Sequence, residues 1–178
     1  MRSIETVTLD DARRVIAAGE DEAARQGQPV NIAVVDVGGV LVAHIRQDQA
    51  WIGSVDVAIN KAFSARAFDV STQGLSENAQ PGGQFYGIQD SNHGRVMIFA
   101  GGVPLMSGDS VVGAVGVSGG TGEQDEACVE EALRKHGLGG WAFGAQCGAK
   151  RSRSTCRRPP TRGHRSGVRR CDPGRGRR

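Results

Sequence analysis

Two apolar runs around a short turn decide the fold: Gly101-Gly102-Val103-Pro104-Leu105 and, after Ser107-Gly108-Asp109, Val111-Val112-Gly113-Ala114-Val115-Gly116-Val117-Ser118-Gly119-Gly120. Small and β-branched residues on both sides of a glycine-containing turn predict a β-hairpin. Thr121 and Gln124 have the spacing of a capping box, so a helix is expected to follow, from about Gly122 to His136. The glycine loop between strand and helix exposes bare backbone that can press against a flat ligand.

The remaining elements complete an alternating pattern. Apolar periodicity predicts helices over residues 9–25 and 51–68, and between them a hairpin formed by 30–35 and 40–46. A further strand is predicted over Arg95–Phe99 and is expected to pair with Ser110–Val117, so this part of the sheet has two or three strands. Because β-hairpins alternate with helices, the fold class is α/β of the α+β kind. We expect a central, mainly antiparallel sheet flanked by helices rather than a doubly wound parallel sheet.

Charge divides the 178-residue chain into two parts. Residues 1–140 carry ten Lys/Arg and 18 Asp/Glu, whereas residues 141–178 carry twelve basic residues and one acid. The first part is predicted to be one domain, and the second a disordered basic tail because it contains too little apolar surface to pack. Two origins stay open for the tail: the product of a frame change, or a segment that contacts nucleic-acid phosphates non-specifically.

Cysteine spacing and hydropathy exclude several classes of protein. Cys128, Cys147, Cys156 and Cys171 form no CxxC or CxxCH motif, so neither a zinc site nor covalent haem attachment is expected. No apolar run reaches the length of a membrane span, and no cysteine has an obvious partner histidine for nucleophilic catalysis. The sequence therefore predicts a soluble cytoplasmic protein with no membrane partner and without a covalent hydrolytic mechanism.

Several short motifs in a fixed order resemble the GlcG/HbpS family, which also occurs as the C-terminal domain of PduO-type proteins. The similarity runs from about residue 6 to residue 138 and ends before the basic tail. The matching motifs are Val34 to Gly39, Lys61 to Ala65, Thr72 with Leu75, Pro81-Gly82 with Tyr86-Gly87, Gly101 to Leu105, and Gly113 to Gly120 with Gln124-Asp125.

The resemblance implies a layered, profilin-like domain that assembles into homo-oligomers and binds haem or another planar tetrapyrrole. A haem-binding accessory or sensor protein is the first expectation. The alternative is an enzyme or accessory factor acting in small hydroxy-acid or diol catabolism, or in haem degradation, with Lys61 and Asp125 as polar catalytic groups.

A long turn-rich segment, residues 69–94, holds most of the candidate ligand-binding residues. His93 can ligate iron and the neighbouring Arg95 can pair with a propionate, while Tyr86 can stack on a flat ligand. The alternatives are a solvated loop histidine and an aromatic side chain that closes the loop against the sheet. By resemblance, Thr72 lines the haem pocket; in the competing view, Ser71 or Thr72 only caps the next turn.

Lys61 is the remaining cofactor-binding candidate. It lies on an otherwise apolar helix and is expected to reach Asp36, Asp125 or a ligand carboxylate. A structural salt bridge and a functional contact are equally consistent with this pattern. For Asp36 itself, the Asp-Val-Gly-Gly sequence favours a turn-forming role.

Overall fold

The computed structural model describes residues 3–136. Within this range four α-helices and four strands follow one another in the order α1, β1, β2, α2, α3, β3, β4, α4. The helices are Leu9–Gln26 (α1), Ser54–Phe68 (α2), Thr72–Asn78 (α3) and Gly122–His136 (α4), and the strands are Asn31–Asp36 (β1), Leu41–Arg46 (β2), Gly102–Ser107 (β3) and Ser110–Ser118 (β4).

The four strands form one sheet in the order β2-β1-β4-β3, and every neighbouring pair is antiparallel. The β3–β4 hairpin pairs Pro104 with Ala114 and Ser107 with Ser110. In the β1–β2 turn the Asp36 carboxylate accepts hydrogen bonds from the backbone N–H groups of Gly38 and Val40 at 2.8 and 2.9 Å. The predicted antiparallel α+β fold is therefore confirmed, and Asp36 has the predicted turn-forming role.

Alternate residues of the strands face two different helical layers. Ile32 and Val34 of β1 pack with α1 and α4 on one face, whereas Ala33 and Val35 pack with α2 on the other. The first layer buries valine, isoleucine and leucine side chains, and the second consists almost entirely of alanines. The sheet is thus covered on both sides, with α2 closest to it.

Small residues allow α2 to approach the sheet. A Cβ atom at Gly116 would lie 2.2 Å from the Ala58 carbonyl oxygen and 2.5 Å from the Ala62 nitrogen, so only glycine fits at this position of β4. This close approach brings Lys61, on the next turn of α2, directly over the end of β4.

The predicted capping box at the start of α4 is present, and α2 begins later than predicted. The Thr8 hydroxyl accepts from the Asp11 N–H at 3.2 Å, and the Thr121 hydroxyl from the Gln124 N–H at 3.3 Å. Helix α2 begins at Ser54 rather than at Trp51, which is 68% exposed and lies outside the periodic apolar face.

The strand predicted over Arg95–Phe99 is wrong. These residues form an irregular segment that runs along α2 and enters the sheet only at Gly102. The Met97 N–H donates to the Ser64 hydroxyl at 2.8 Å, so a helix side chain replaces a strand as its partner. The apolar character of this segment is explained by the burial of Val96, which is 1% exposed. It does not indicate strand pairing with β4.

No helix within residues 3–136 combines the length and apolar character required to cross a bilayer. Cys128 is buried, and burial raises the pKa of its thiol to about 12, so it packs as a small apolar residue. The predicted tail and its three cysteines lie outside the described residues.

Candidate ligand-binding site

The connection between α2 and β3 carries four of the five predicted ligand-binding residues. It begins with α3, whose N-cap is Ser71: the Ser71 hydroxyl accepts from the Gly74 N–H at 3.0 Å. Thr72 is the next residue, and its side chain is completely buried. Its hydroxyl accepts a hydrogen bond of 3.0 Å from the Gly102 N–H, so Thr72 fastens the start of α3 to the start of β3.

The middle of the connection is exposed. Tyr86 is 65% exposed, and His93 is also exposed. Asn92 and His93 both have left-handed backbone conformations, with φ values of 50° and 59°. Residues other than glycine rarely adopt this conformation, and such outliers cluster at functional sites, where surrounding structure maintains them. The imidazole of His93 is therefore presented outward from an unusual turn.

Arg95 is held in one orientation. Its guanidinium carbon lies 3.8 Å from the centroid of the Phe63 ring, and its Nε donates to the Asn60 side-chain oxygen at 3.3 Å. Within residues 3–136, Arg95 and Arg46 are the only Lys or Arg side chains with no carboxylate within 4.0 Å. Arg95 is thus an oriented positive charge that an incoming anionic group can pair with.

Lys61 is fully buried, and its surroundings are polar. Its Nζ donates to the Asp125 carboxylate at 2.7 Å and to the Val117 carbonyl at 2.8 Å. Burial lowers the pKa of Lys61, and the neighbouring Asp125 opposes that shift. Of the three partners expected for Lys61, the structure therefore places Asp125 against it. Asp125 also accepts from the Gly120 N–H at 3.0 Å, which fixes the loop that leads into α4.

Glu126 lies in the same cluster, although no sequence pattern marks it as a candidate. One carboxylate oxygen, Oε2, accepts from the Gly101 N–H at 2.7 Å, while the other, Oε1, is buried and has no hydrogen-bond partner. Burial raises the pKa of Glu126. Acidic residues are common in the first turn of a helix, so this position alone gives no functional signal. The one available signal was that Glu126 directly follows Asp125, which binds the loop at Gly120.

The predicted residues thus separate into two groups. Thr72 and Lys61 converge on Gly101 and Gly102, where added Cβ atoms would lie 2.9 Å from the Lys61 Nζ and 2.7 Å from a Thr72 methyl carbon. Tyr86, His93 and Arg95 instead follow the outer part of the connection. Residues 3–136 contain no group of three or more His, Cys, Asp or Glu side chains arranged to hold a metal ion.

Fold and site together define a single-sheet α+β domain with a long connection between α2 and β3 and a buried Lys-Asp-Glu cluster beneath its end. Residues 7–134 match the family described as "Haem degrading protein HbpS-like", and the chain belongs to this family. The predicted resemblance to the GlcG/HbpS family is confirmed.

Individual relatives agree with this assignment. A 15.0 kDa protein from the dhaT-dhaS intergenic region of Citrobacter freundii is 41% identical over 132 residues, which are 74% of this chain and 93% of that protein. The crystal structure of Klebsiella pneumoniae ORFY is 40% identical with a TM-score of 0.74, covering 75% of this chain and 92% of that one. The crystal structure of a PduOC:haem complex is 30% identical with a TM-score of 0.73, covering 75% and 97%.

Proposed function

We propose that this protein binds haem on the surface formed by the outer part of the α2–β3 connection, and that it acts as a haem-binding accessory or sensor protein. The observation that carries the proposal is Arg95, an oriented cation without a carboxylate partner in the described chain, two residues from the outward-facing His93. Membership of the HbpS-like family and the relative crystallised with haem support it.

The side chains present fit the chemistry of haem. The group has a planar apolar face, an iron that accepts axial ligands, and two propionates. His93 offers an imidazole for the iron, Arg95 a bidentate donor for a propionate, and Tyr86 an exposed ring for the macrocycle. When bound, haem would supply an iron centre capable of ligand binding and of one-electron redox change.

Thr72 and Lys61 have an indirect role in this proposal. Both are completely buried and hydrogen-bonded within the protein, to Gly102 and Asp125 respectively. Their contacts hold the end of the connection against β3 and α4. We therefore assign them to positioning the site rather than to contact with the ligand.

Titration of the full chain with haemin tests the proposal. A saturable Soret band is expected for the wild type. The variant His93→Asn, in which asparagine tolerates the left-handed conformation, should bind more weakly and shift the band. The matched control is His136→Asn, because His136 lies at the end of α4. Absence of saturable binding to the wild type would refute the proposed function.

Arg95 is tested separately with Arg95→Gln, and the control is Arg46→Gln, the other arginine without a carboxylate partner in the described chain. A charge-assisted hydrogen bond contributes about 1.5–3 kcal/mol, so Arg95→Gln should raise the Kd by about 10- to 150-fold. Equal effects of the two substitutions would remove Arg95 from the site.

The enzymatic alternative gains no support from the described residues. Lys61 and Asp125 are 0% and 3% exposed and face each other, so a substrate touches neither in this conformation.

Homo-oligomer formation remains a proposal. The exposed side chains of Trp51 and Ile52 are suitable for subunit contacts. A monomer mass in light scattering at micromolar concentration would exclude it.

A further inference from the structure

We propose that Phe99 is a stacking platform for the planar ligand and that the buried Lys61 holds this platform in place. The inference rests on the proposed haem function and extends it to a residue that the sequence does not single out. Phe99 is 49% exposed although it is a large apolar side chain next to the buried start of β3. It lies in the same irregular segment as Arg95, after the outward-facing His93.

One face of the Phe99 ring contacts the ammonium group of Lys61. The Lys61 Nζ lies 4.9 Å from the ring centroid, within the distance at which an ammonium group is attracted to an aromatic face. An ammonium has three N–H donors, and Lys61 directs two of them to Asp125 and Val117. The Phe99 ring is a further group beside this ammonium. Because Lys61 is fully buried, the face of the ring that meets it points into the protein, so the 49% exposure of Phe99 comes from the edge and the opposite face of the ring.

The backbone that carries Phe99 is fastened two residues later. The Gly101 N–H donates to Glu126 at 2.7 Å, and the Gly102 N–H donates to Thr72 at 3.0 Å. The Gly101 carbonyl in turn accepts from the Val117 N–H at 2.7 Å. These three hydrogen bonds fix the backbone that follows Phe99, and the Lys61 contact restrains the ring itself. The ring is therefore preorganised, which reduces the entropy lost when a ligand stacks on it.

Phe99 and Arg95 together indicate a class of ligand. Four residues of chain span at most about 14 Å, so the Cα atoms of Arg95 and Phe99 are no further apart than this, and one flat molecule can contact both side chains. A platform binds a planar apolar face, and a guanidinium without a carboxylate partner binds a carboxylate at its edge. The geometry therefore points to a planar tetrapyrrole bearing carboxylates, with or without a metal.

Two porphyrins and three substitutions in the full chain separate the contributions. The probes are haemin and iron-free protoporphyrin IX, which carries the same ring and carboxylates but accepts no axial ligand. Phe99→Leu keeps apolar volume and removes the ring, and it should weaken binding of both probes by about 3- to 10-fold. His93→Asn should weaken binding of haemin alone. Phe99→Trp should preserve binding of both probes.

Phe68→Leu is the matched control, because Phe68 is 38% exposed at the end of α2 and has no cation against its ring in the described chain. Urea unfolding monitored by circular dichroism identifies any variant that is not folded. If wild type binds haemin and Phe99→Leu binds both porphyrins as tightly as Phe68→Leu does, the platform is refuted while the proposed function stands. If wild type binds neither porphyrin, both proposals fail.

Discussion

Glu126 provides a sensitive test of the buried cluster, because the substitution Glu126→Gln is expected to stabilise the protein at pH 7. In the wild type one carboxylate oxygen accepts from Gly101 and the other is buried without a partner, at 7% residue exposure. Glutamine keeps an acceptor for the Gly101 N–H and replaces the buried charge by a neutral amide, although the amide nitrogen also lacks a partner at this position. An unsatisfied buried group costs more when it is charged than when it is neutral, so we expect a gain of about 1 kcal/mol in the free energy of unfolding.

The gain should depend on pH in one direction. Burial raises the folded-state pKa of Glu126 above its ordinary value of 4.5, so the folded state binds this proton more tightly than the unfolded state. Between the two pKa values, the contribution of Glu126 to stability therefore decreases as the pH rises. The advantage of Glu126→Gln is accordingly largest above the folded-state pKa and shrinks as the pH falls through that pKa toward 4.5.

Urea unfolding monitored by circular dichroism between pH 4.5 and about 8 measures this difference, with Glu77→Gln as the control. Glu77 is an exposed carboxylate on α3, and its substitution should change stability by less than about 0.5 kcal/mol. A Glu126→Gln variant that is less stable than wild type at pH 7, or whose advantage grows as the pH falls, would refute the reasoning.

Two further predictions concern the ion pair and the tail. Lys61→Met should lower the free energy of unfolding by about 3–5 kcal/mol, because it leaves the buried Asp125 carboxylate without its cation. Adding Asp125→Asn should recover part of that loss, as measured by urea unfolding. Equal stabilities of the single and double variants would contradict this. Deleting residues 141–178 should leave the thermal midpoint and haemin binding unchanged. The net charge falls from +3 to −8, which isoelectric focusing detects. Loss of folding would show that these residues belong to the domain.

The candidate site was only partly accessible from sequence. The Lys-Ala-Phe-Ser-Ala run marked Lys61, and Asp125 stood among its expected partners, because a lysine on an apolar helix needs a nearby acid. Phe99 and Glu126 were not recognised. An exposed aromatic and a first-turn acid are both common, and neither has a local pattern that reveals its neighbours.

Local rules determined most elements of this protein, although helix α3 lies in the segment 69–94 that was predicted to consist of turns. Capping residues, turn glycines and alternating apolar positions act over a few residues, so the helix starts at Leu9 and Gly122 and both hairpins follow directly from the sequence. The order of hairpins and helices then restricts the sheet to an antiparallel form.

Tertiary structure decided what local patterns leave ambiguous. The apolar residues from Arg95 to Phe99 are equally suited to a strand and to an irregular segment, and the Ser64 hydroxyl on α2 selects the second by taking the place of a strand partner. The packing of α2 against β4 likewise brings Lys61 to Asp125, 64 positions away in sequence, and to the ring of Phe99. Contacts between distant parts of the chain form only when the layers pack, because burial is a property of the assembled fold rather than of any one segment.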